Sequence, residues 1–109
     1  QAILISTGKV LERNGFIVET AQTGQEAIEK SKTQHFDAAL IDLRLPDMDG
    51  IEILSKADFG NTVKIMLTGF PSLVTGLAAM DRGVDAYLHK PVRPEELLLL
   101  VKSKLSERK

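Results

Sequence analysis

The chain contains 109 residues, of which 43% are hydrophobic and 27% are charged. This length suits one small domain with a continuous core and is too short for two, so we predict a single domain over residues 1–109. With 14 basic residues against 15 acidic ones, the net charge of -1 gives no argument for nucleic-acid binding. Cysteine is absent, which excludes disulfides and thiolate metal sites.

Membrane insertion and secretion also find no support in the sequence. The longest apolar run covers residues 97–101 and is far shorter than the ~20 residues of a membrane-spanning helix. No signal-peptide pattern opens the chain. We therefore expect a soluble, cytoplasmic protein with no membrane partner.

The first third of the chain predicts a helix, a strand and a second helix. Helical spacing of small and apolar residues predicts a helix over residues 1–14, and the Asn-Gly pair that ends this segment is a helix stop. Residues 16–20 are rich in β-branched side chains and favour a strand. The sequence Thr23-Gly24-Gln25-Glu26 is a capping box, which introduces a helix through about Gln34.

Strands and helices continue to alternate in the remainder of the chain. Residues 38–41 and 63–67 form short apolar segments, typical of parallel strands that are buried on both faces, and they end at Asp42 and Thr68. The other predicted elements are helices over residues 50–56 and 72–82, a strand over residues 86–89 and a final helix that begins at Pro94. Gly83 is a helix stop.

Three polar residues follow three of the predicted strands. An alternating chain predicts a mainly parallel sheet with helices on both faces and right-handed crossovers. Ligands bind such sheets at the carboxyl ends of the strands. Asp42, Thr68 and Lys90 stand at these ends, so the fold is expected to bring them to one rim.

Each of the three residues also has a plainer interpretation. Asp42 alone suits a turn or helix cap, Thr68 an ordinary strand position, and Lys90 a solvated surface charge. Together they suit phosphoryl transfer to an aspartate, which requires a cation such as Mg²⁺ and a nearby ammonium group to offset the negative charges. A threonine hydroxyl can then donate to the transferred group.

Three sequence blocks resemble the receiver domains of two-component response regulators. They are DLRLPDMDG at residues 42–50, IMLTG at residues 65–69 and DAYLHKP at residues 85–91, in the family's order and at suitable separations. The resemblance implies an α/β, flavodoxin-like, doubly wound parallel sheet of strand order 2-1-3-4-5. It also implies phosphorylation by a sensor histidine kinase, an output domain or target protein, and self-modification rather than enzymatic turnover.

The resemblance assigns a role to each matching residue. Asp42 is the phosphoacceptor and, with the backbone carbonyl of Arg44, a ligand of Mg²⁺. Thr68 is the switch hydroxyl, and Lys90 pairs with the phosphoryl group, with Lys90-Pro91 in the cis form. Tyr87 matches the switch aromatic, which turns inward when the hydroxyl engages phosphate; its plainer interpretation is ordinary packing.

The beginning of the chain departs from the family pattern. Receiver domains start with a strand that ends in two acidic residues, which bind the cation, and no such pair occurs here. Residues 1–15 align best with the following helix, so the first strand is expected to be missing from this chain, through truncation or otherwise. Alternatively, residues 2–5 are that strand, with Ser6 and Thr7 in place of the acids. Either arrangement predicts weak or absent Mg²⁺ binding.

Other functions and a role for a second copy of the chain stay open at this point. The chain could be a pseudo-receiver, a binding module that works without phosphorylation, which the absent acidic pair favours. The chain could also be a small phosphohydrolase with Asp42 as its nucleophile. Such an enzyme needs a second acid near the nucleophile, and the residues that follow Asp42 directly do not supply one. A homodimer could supply the missing strand pairing.

Gly50 is expected to free the backbone where the next helix begins.

Overall fold

The structure, a computed structural model, describes residues 2–6, 17–69 and 72–107. Strands and helices alternate along these segments. The strands are β1 (Ala2–Ser6), β2 (Ile17–Thr20), β3 (Ala38–Asp42), β4 (Val63–Thr68) and β5 (Ala86–His89). The helices are α1 (Gly24–Thr33), α2 (Gly50–Lys56), α3 (Leu73–Asp81) and α4 (Pro94–Glu107).

The described strands form one parallel sheet in the order β2-β1-β3-β4-β5. This arrangement confirms the predicted α/β class and the strand order 2-1-3-4-5. All carboxyl ends therefore lie along one edge, and the polar residues that follow β3, β4 and β5 are neighbours there.

The strand predicted to be missing is present as β1, so that part of the prediction was wrong. Residues 2–6 are extended rather than helical, and residues 7–16 lie outside the described part of the chain. Ile3, Leu4 and Ile5 are almost completely buried between β2 and β3, where β1 pairs on both edges. A short apolar run fits a helix or a strand equally well, and pairing with two distant strands decides between them. No second copy of the chain is needed to complete the middle of the sheet.

Two apolar layers cover the faces of the sheet. One layer includes Leu4, Ile41 and Met66 of the sheet, with residues of α1, α2 and α3 such as Ile28 and Ile53. The other layer places Leu97, Val101 and Leu105 of α4 against the opposite face. The apolar run at residues 97–101 is thus partly core, while Leu99 within it points to solvent.

Predicted helix boundaries agree with the local chemistry of the structure. Thr23 caps α1 by accepting a hydrogen bond from the backbone of Glu26, and Glu26 in turn accepts one from the backbone of Gln22. Gly83 adopts a φ of 80°, a left-handed conformation that ends α3 as predicted. Within the described residues, none of the helices is both long enough and apolar enough to cross a membrane.

Candidate functional site

The three residues predicted to share one rim do meet there. Asp42 ends β3, Thr68 ends β4, and Lys90 follows β5 directly. β4 lies between β3 and β5. In the register of these strands, Asp42 lies beside Leu67 and Thr68 lies beside His89. The backbone N–H of Lys90 donates to the carbonyl oxygen of Thr68 at 2.7 Å, which ties the end of β5 to the end of β4.

The carboxylate of Asp42 is held by one donor on each oxygen. The ammonium group of Lys90 donates to Oδ2, and the backbone N–H of Arg44 donates to Oδ1 at 3.0 Å. The side chain of Asp42 is 14% exposed and that of Lys90 is 29% exposed, so the pair is partly shielded from water. Such a carboxylate is oriented, reachable from solvent and adjacent to a cation, as attack on an anionic centre requires. The bond between Lys90 and Pro91 is cis, as predicted.

Thr68 is buried at the end of β4, with only 1% of its surface exposed. Its neighbours in the sheet are the strands that carry Asp42 and Lys90. The hydroxyl therefore belongs to the site by position, and its burial favours one defined hydrogen-bond geometry over a freely solvated one.

The loop after Asp42 is closed by its own backbone hydrogen bonds. Leu45 donates to Met48 at 3.1 Å, and Gly50 donates to Leu43 at 2.7 Å. A Cβ atom on Gly50 would lie 2.9 Å from the carbonyl oxygen of Asp42, closer than such contacts allow. The φ of Gly50 is not positive, so the glycine is required by this close approach rather than by backbone freedom, and the predicted reason was wrong.

Asp47, at the tip of this loop, attaches it to α1. Its carboxylate accepts hydrogen bonds from the backbone N–H groups of Gly24 at 2.7 Å and Gln25 at 3.0 Å. The hydrogen bond from Gly24 and, to a smaller extent, the one from Gln25 stabilise the charged carboxylate and so lower the pKa of Asp47. Met48 packs so closely over Gly24 that a Cβ there would lie 2.3 Å from its Cγ. The loop that contains Arg44 is thereby fixed at both its base and its tip.

Tyr87, the predicted switch residue, lies in β5 beside Met66 of β4. Its hydroxyl shares a hydrogen bond of 2.8 Å with the hydroxyl of Thr75 in α3. The ring is half-buried and extends over Gly76, whose Cβ, if present, would lie 3.7 Å from the ring. In this structure the phenol is therefore held by α3.

The oxygen ligands available for Mg²⁺ are few among the described residues. Asp42 supplies one carboxylate, and the described residues contain no cluster of three or more acidic or histidine side chains that could bind a metal. β1 ends at Ser6, which pairs with Ile41 directly before Asp42, and Thr7 lies outside the described residues. Since Mg²⁺ prefers six oxygen ligands, Asp42 and the carbonyl of Arg44, the ligands expected among the described residues, would leave most of its coordination positions to other groups such as water.

Sequence reasoning identified Asp42, Thr68, Lys90 and Tyr87 but missed two contacts that position them. These are the attachment of Asp47 to α1 and the bond between Thr75 and Tyr87. Neither has a signal in the local pattern, because both partners of each contact suit ordinary loop, cap or strand positions.

Comparisons with known proteins show which family the chain resembles. The profile of the family described as the response regulator receiver domain matches residues 1–102. The transcriptional regulatory protein SrrA of Staphylococcus aureus is 38% identical over 96 residues, which are 87% of this chain and 40% of SrrA. The chain thus spans less than half the length of the curated relatives it matches.

Solved structures show the same likeness over nearly the whole chain. A CheY-like receiver domain protein from Methanospirillum hungatei JF-1 is 39% identical, with a TM-score of 0.92, covering 98% of this chain and 94% of that one. A response regulator from Burkholderia pseudomallei, solved with a phosphorylated aspartic acid, calcium ion and citrate, is 27% identical with a TM-score of 0.82. That comparison covers 97% of this chain and 68% of the other.

Proposed function

Since the chain belongs to the response regulator receiver domain family, we propose that it accepts a phosphoryl group on Asp42 from a sensor histidine kinase and then changes its protein contacts. The observation that carries the proposal is the direct contact between Asp42 and Lys90 at the carboxyl edge of the sheet. A carboxylate at this edge with a partner cation is the minimum that an acyl-phosphate switch requires.

Phosphoryl transfer would use the donors that already orient the carboxylate. An oxygen of Asp42 attacks phosphorus, the P–N bond of a phosphohistidine donor breaks, and the imidazole leaves with the bonding electron pair and takes up a proton. The ammonium group of Lys90 stabilises the negative charge on the phosphoryl oxygens, and the N–H of Arg44 can donate to the same group. Mg²⁺, when bound, supplies further charge neutralisation.

Thr68 at the end of β4 would then bind the transferred group. The hydroxyl of Thr68 donates to a phosphoryl oxygen, and Tyr87 leaves its position at α3 as the end of β4 adjusts. Water attack on the acyl phosphate resets the site, so the chain modifies itself and does not turn over an external substrate. We place this chemistry in the cytoplasm, where ATP-dependent kinases operate.

The partners are proposed from the relatives. SrrA is named as a transcriptional regulator and is longer than this chain, which favours a role in which the receiver controls an output domain or target protein. The near-neutral charge of the receiver gives it no basis for contacting nucleic acid itself.

Intact-mass measurement after incubation with Mg²⁺ and acetyl phosphate tests the proposal. The wild-type chain should gain the mass of one phosphoryl group, and Asp42→Asn should gain none. Asp58→Asn is the matched control, because Asp58 is an exposed acid in the loop between α2 and β4, at the opposite end of the sheet. A folded wild-type chain without the adduct would contradict the proposal and indicate a module that works without phosphorylation. Steady turnover of an aryl phosphate would indicate a phosphohydrolase.

A further inference from the structure

Helix α3 presents an unusually apolar outer face. The exposed fractions of the side chains on this face range from 57% to 78%: Leu73, Val74, Leu77 and Met80. Within α3 only Ala79 is fully buried. A helix with so little buried surface gains little from packing, so individual hydrogen bonds to the rest of the domain carry more of its attachment.

The two halves of α3 are attached differently. Near the C-terminal end, Ala79 is buried and the Nε–H of Arg82 donates to the hydroxyl of Ser55 in α2 at 2.6 Å. Near the N-terminal end, the link to the sheet is the 2.8 Å hydrogen bond between the hydroxyls of Thr75 and Tyr87. Gly76 follows Thr75 and weakens this half of the helix.

We propose that Thr75 is a positioning residue for Tyr87, and that the bond between their hydroxyls holds the N-terminal half of α3 against β5. This inference rests on the proposed function, in which Tyr87 moves when Asp42 is phosphorylated. Any movement that separates the phenol from Thr75 then loosens the first turns of α3. The exposed residues Leu73 and Val74 lie in those turns and change position with them.

The geometry explains why this hydroxyl pair can act as a two-state contact. Thr75 is already supported by Ser72, whose side-chain oxygen caps α3 by accepting from the N–H of Thr75 at 3.1 Å. Gly76 lies beneath the phenol ring, and a Cβ atom there would be 3.7 Å from the ring, an ordinary contact distance. One net hydrogen bond shifts an equilibrium by about fivefold, enough to bias a switch without locking it.

The experiment compares the wild-type chain with Thr75→Val, Thr75→Ser and Tyr87→Phe in the absence of a phosphodonor. Valine keeps the shape of threonine but removes the hydroxyl, and with it the bond to Tyr87 and the bonds to Ser72, at 2.8 Å to the side-chain oxygen and 3.2 Å to the carbonyl oxygen. Serine keeps the hydroxyl, and phenylalanine at position 87 removes the bond to Thr75 alone. Tyr87 is the single tyrosine and the chain has no tryptophan, so tyrosine fluorescence reports this residue alone. Amide hydrogen exchange at Gly76 and Leu77 reports the opening of α3.

Thr75→Val should change the fluorescence of Tyr87 and speed amide exchange at Gly76 and Leu77 by about fivefold, whereas Thr75→Ser should restore both signals. Tyr87→Phe should also speed the exchange, by no more than Thr75→Val does, because it leaves the bonds between Thr75 and Ser72 in place. Adding Tyr87→Phe to Thr75→Val should change the rates no further. If Tyr87→Phe instead speeds exchange by the same factor in wild type and in Thr75→Val, the two hydroxyls act independently and the inference is overturned. Unchanged fluorescence in Thr75→Val would overturn it as well.

A second arm adds Mg²⁺ and acetyl phosphate, with the adduct verified by mass. Phosphorylated wild type should approach the exchange rates of unphosphorylated Thr75→Val, and phosphorylation of that variant should change its rates little. If the first arm succeeds and no adduct forms, the positioning role of Thr75 stands and the proposed function fails. If the adduct forms while α3 exchange is insensitive to Thr75→Val, the proposed function stands and the inference about Thr75 fails.

Discussion

The ammonium group of Lys90 donates a hydrogen bond to Oδ2 of Asp42 across the end of β4, which separates the strands that carry the two residues. The contact compensates the charge of the carboxylate before any phosphoryl group arrives. It also leaves the cation positioned to follow that charge when it spreads over phosphoryl oxygens.

Replacing Lys90 with methionine should slow phosphorylation of Asp42 by acetyl phosphate on the order of a hundredfold, because one preorganised cationic donor is lost from the site. The rate of adduct formation, followed by mass spectrometry, measures the effect. Lys102→Met is the control, since it removes the same charge from an exposed position on α4. Equal rates in Lys90→Met and Lys102→Met would contradict a role for the contact.

Gly50→Ala should destabilise the fold by about 1–3 kcal/mol, because the new methyl group overlaps the backbone of Asp42. Gly76→Ala should stabilise it by up to about 1 kcal/mol, because the nearest atom, in the ring of Tyr87, lies at an ordinary contact distance of 3.7 Å. Urea unfolding of both variants measures the two changes. Equal tolerance of both substitutions would disprove the steric explanation for Gly50.

The carboxylate of Asp47 should make the stability of the chain depend on pH. Its pKa is lowered in the folded state by the N–H groups of Gly24 and then Gln25. The stabilisation is therefore complete above the ordinary aspartate value of about 3.9 and is lost as pH falls through the lower, folded-state pKa.

Urea unfolding between neutral and strongly acidic pH tests this dependence. Asp47→Asn should be less stable than wild type at neutral pH, and the difference should shrink as acid protonates Asp47 in wild type. Thr23→Ala is the control, because it removes a neutral cap from the same helix at a cost of about 1 kcal/mol that should not vary with pH. A pH-independent difference between wild type and Asp47→Asn would rule out the carboxylate as the cause.

Acidic residues at the end of β1 should strengthen Mg²⁺ binding. By the resemblance to the family, Ser6 and Thr7 correspond in sequence to its acidic pair, and the backbone of Ser6 pairs with Ile41 directly before Asp42. The double variant Ser6→Asp/Thr7→Asp should bind Mg²⁺ on the order of tenfold more tightly by calorimetry, because it adds carboxylate oxygens to those of Asp42. Adding Asp42→Asn should abolish the gain; a gain that survives would place the ion elsewhere.

The sheet was largely predictable because its strands are short apolar segments that end at polar residues. Ile41 precedes Asp42, and Leu67 precedes Thr68, so burial on both faces was visible in the sequence itself. β1 was only the second of two interpretations of its segment, because Ile3, Leu4 and Ile5 form a short apolar run that fits a helix or a strand. Their state depends on β2 and β3, and such long-range pairing leaves no local pattern.

The residues that meet at the site were predictable from the sequence, but their supporting contacts were not. Asp42, Thr68 and Lys90 follow from strand ends and from the family blocks. Asp47 accepts hydrogen bonds from the start of α1, more than 20 positions earlier in the chain. Thr75 bonds to Tyr87 of β5, 12 positions later. Each side chain could equally have faced solvent, so only the packed arrangement selects its partner.

The position of β4 between β3 and β5 has a consequence for protein synthesis. Asp42 leaves the ribosome long before Lys90, which is 48 residues further along the chain. In the folded sheet β4 lies between β3 and β5, so a chain in which these strands have not yet assembled has the carboxylate without its cation. If Asp42 accepts a phosphoryl group as proposed, we expect such a chain to be a poor acceptor, because the donor that would stabilise the transferred charge is not yet in place.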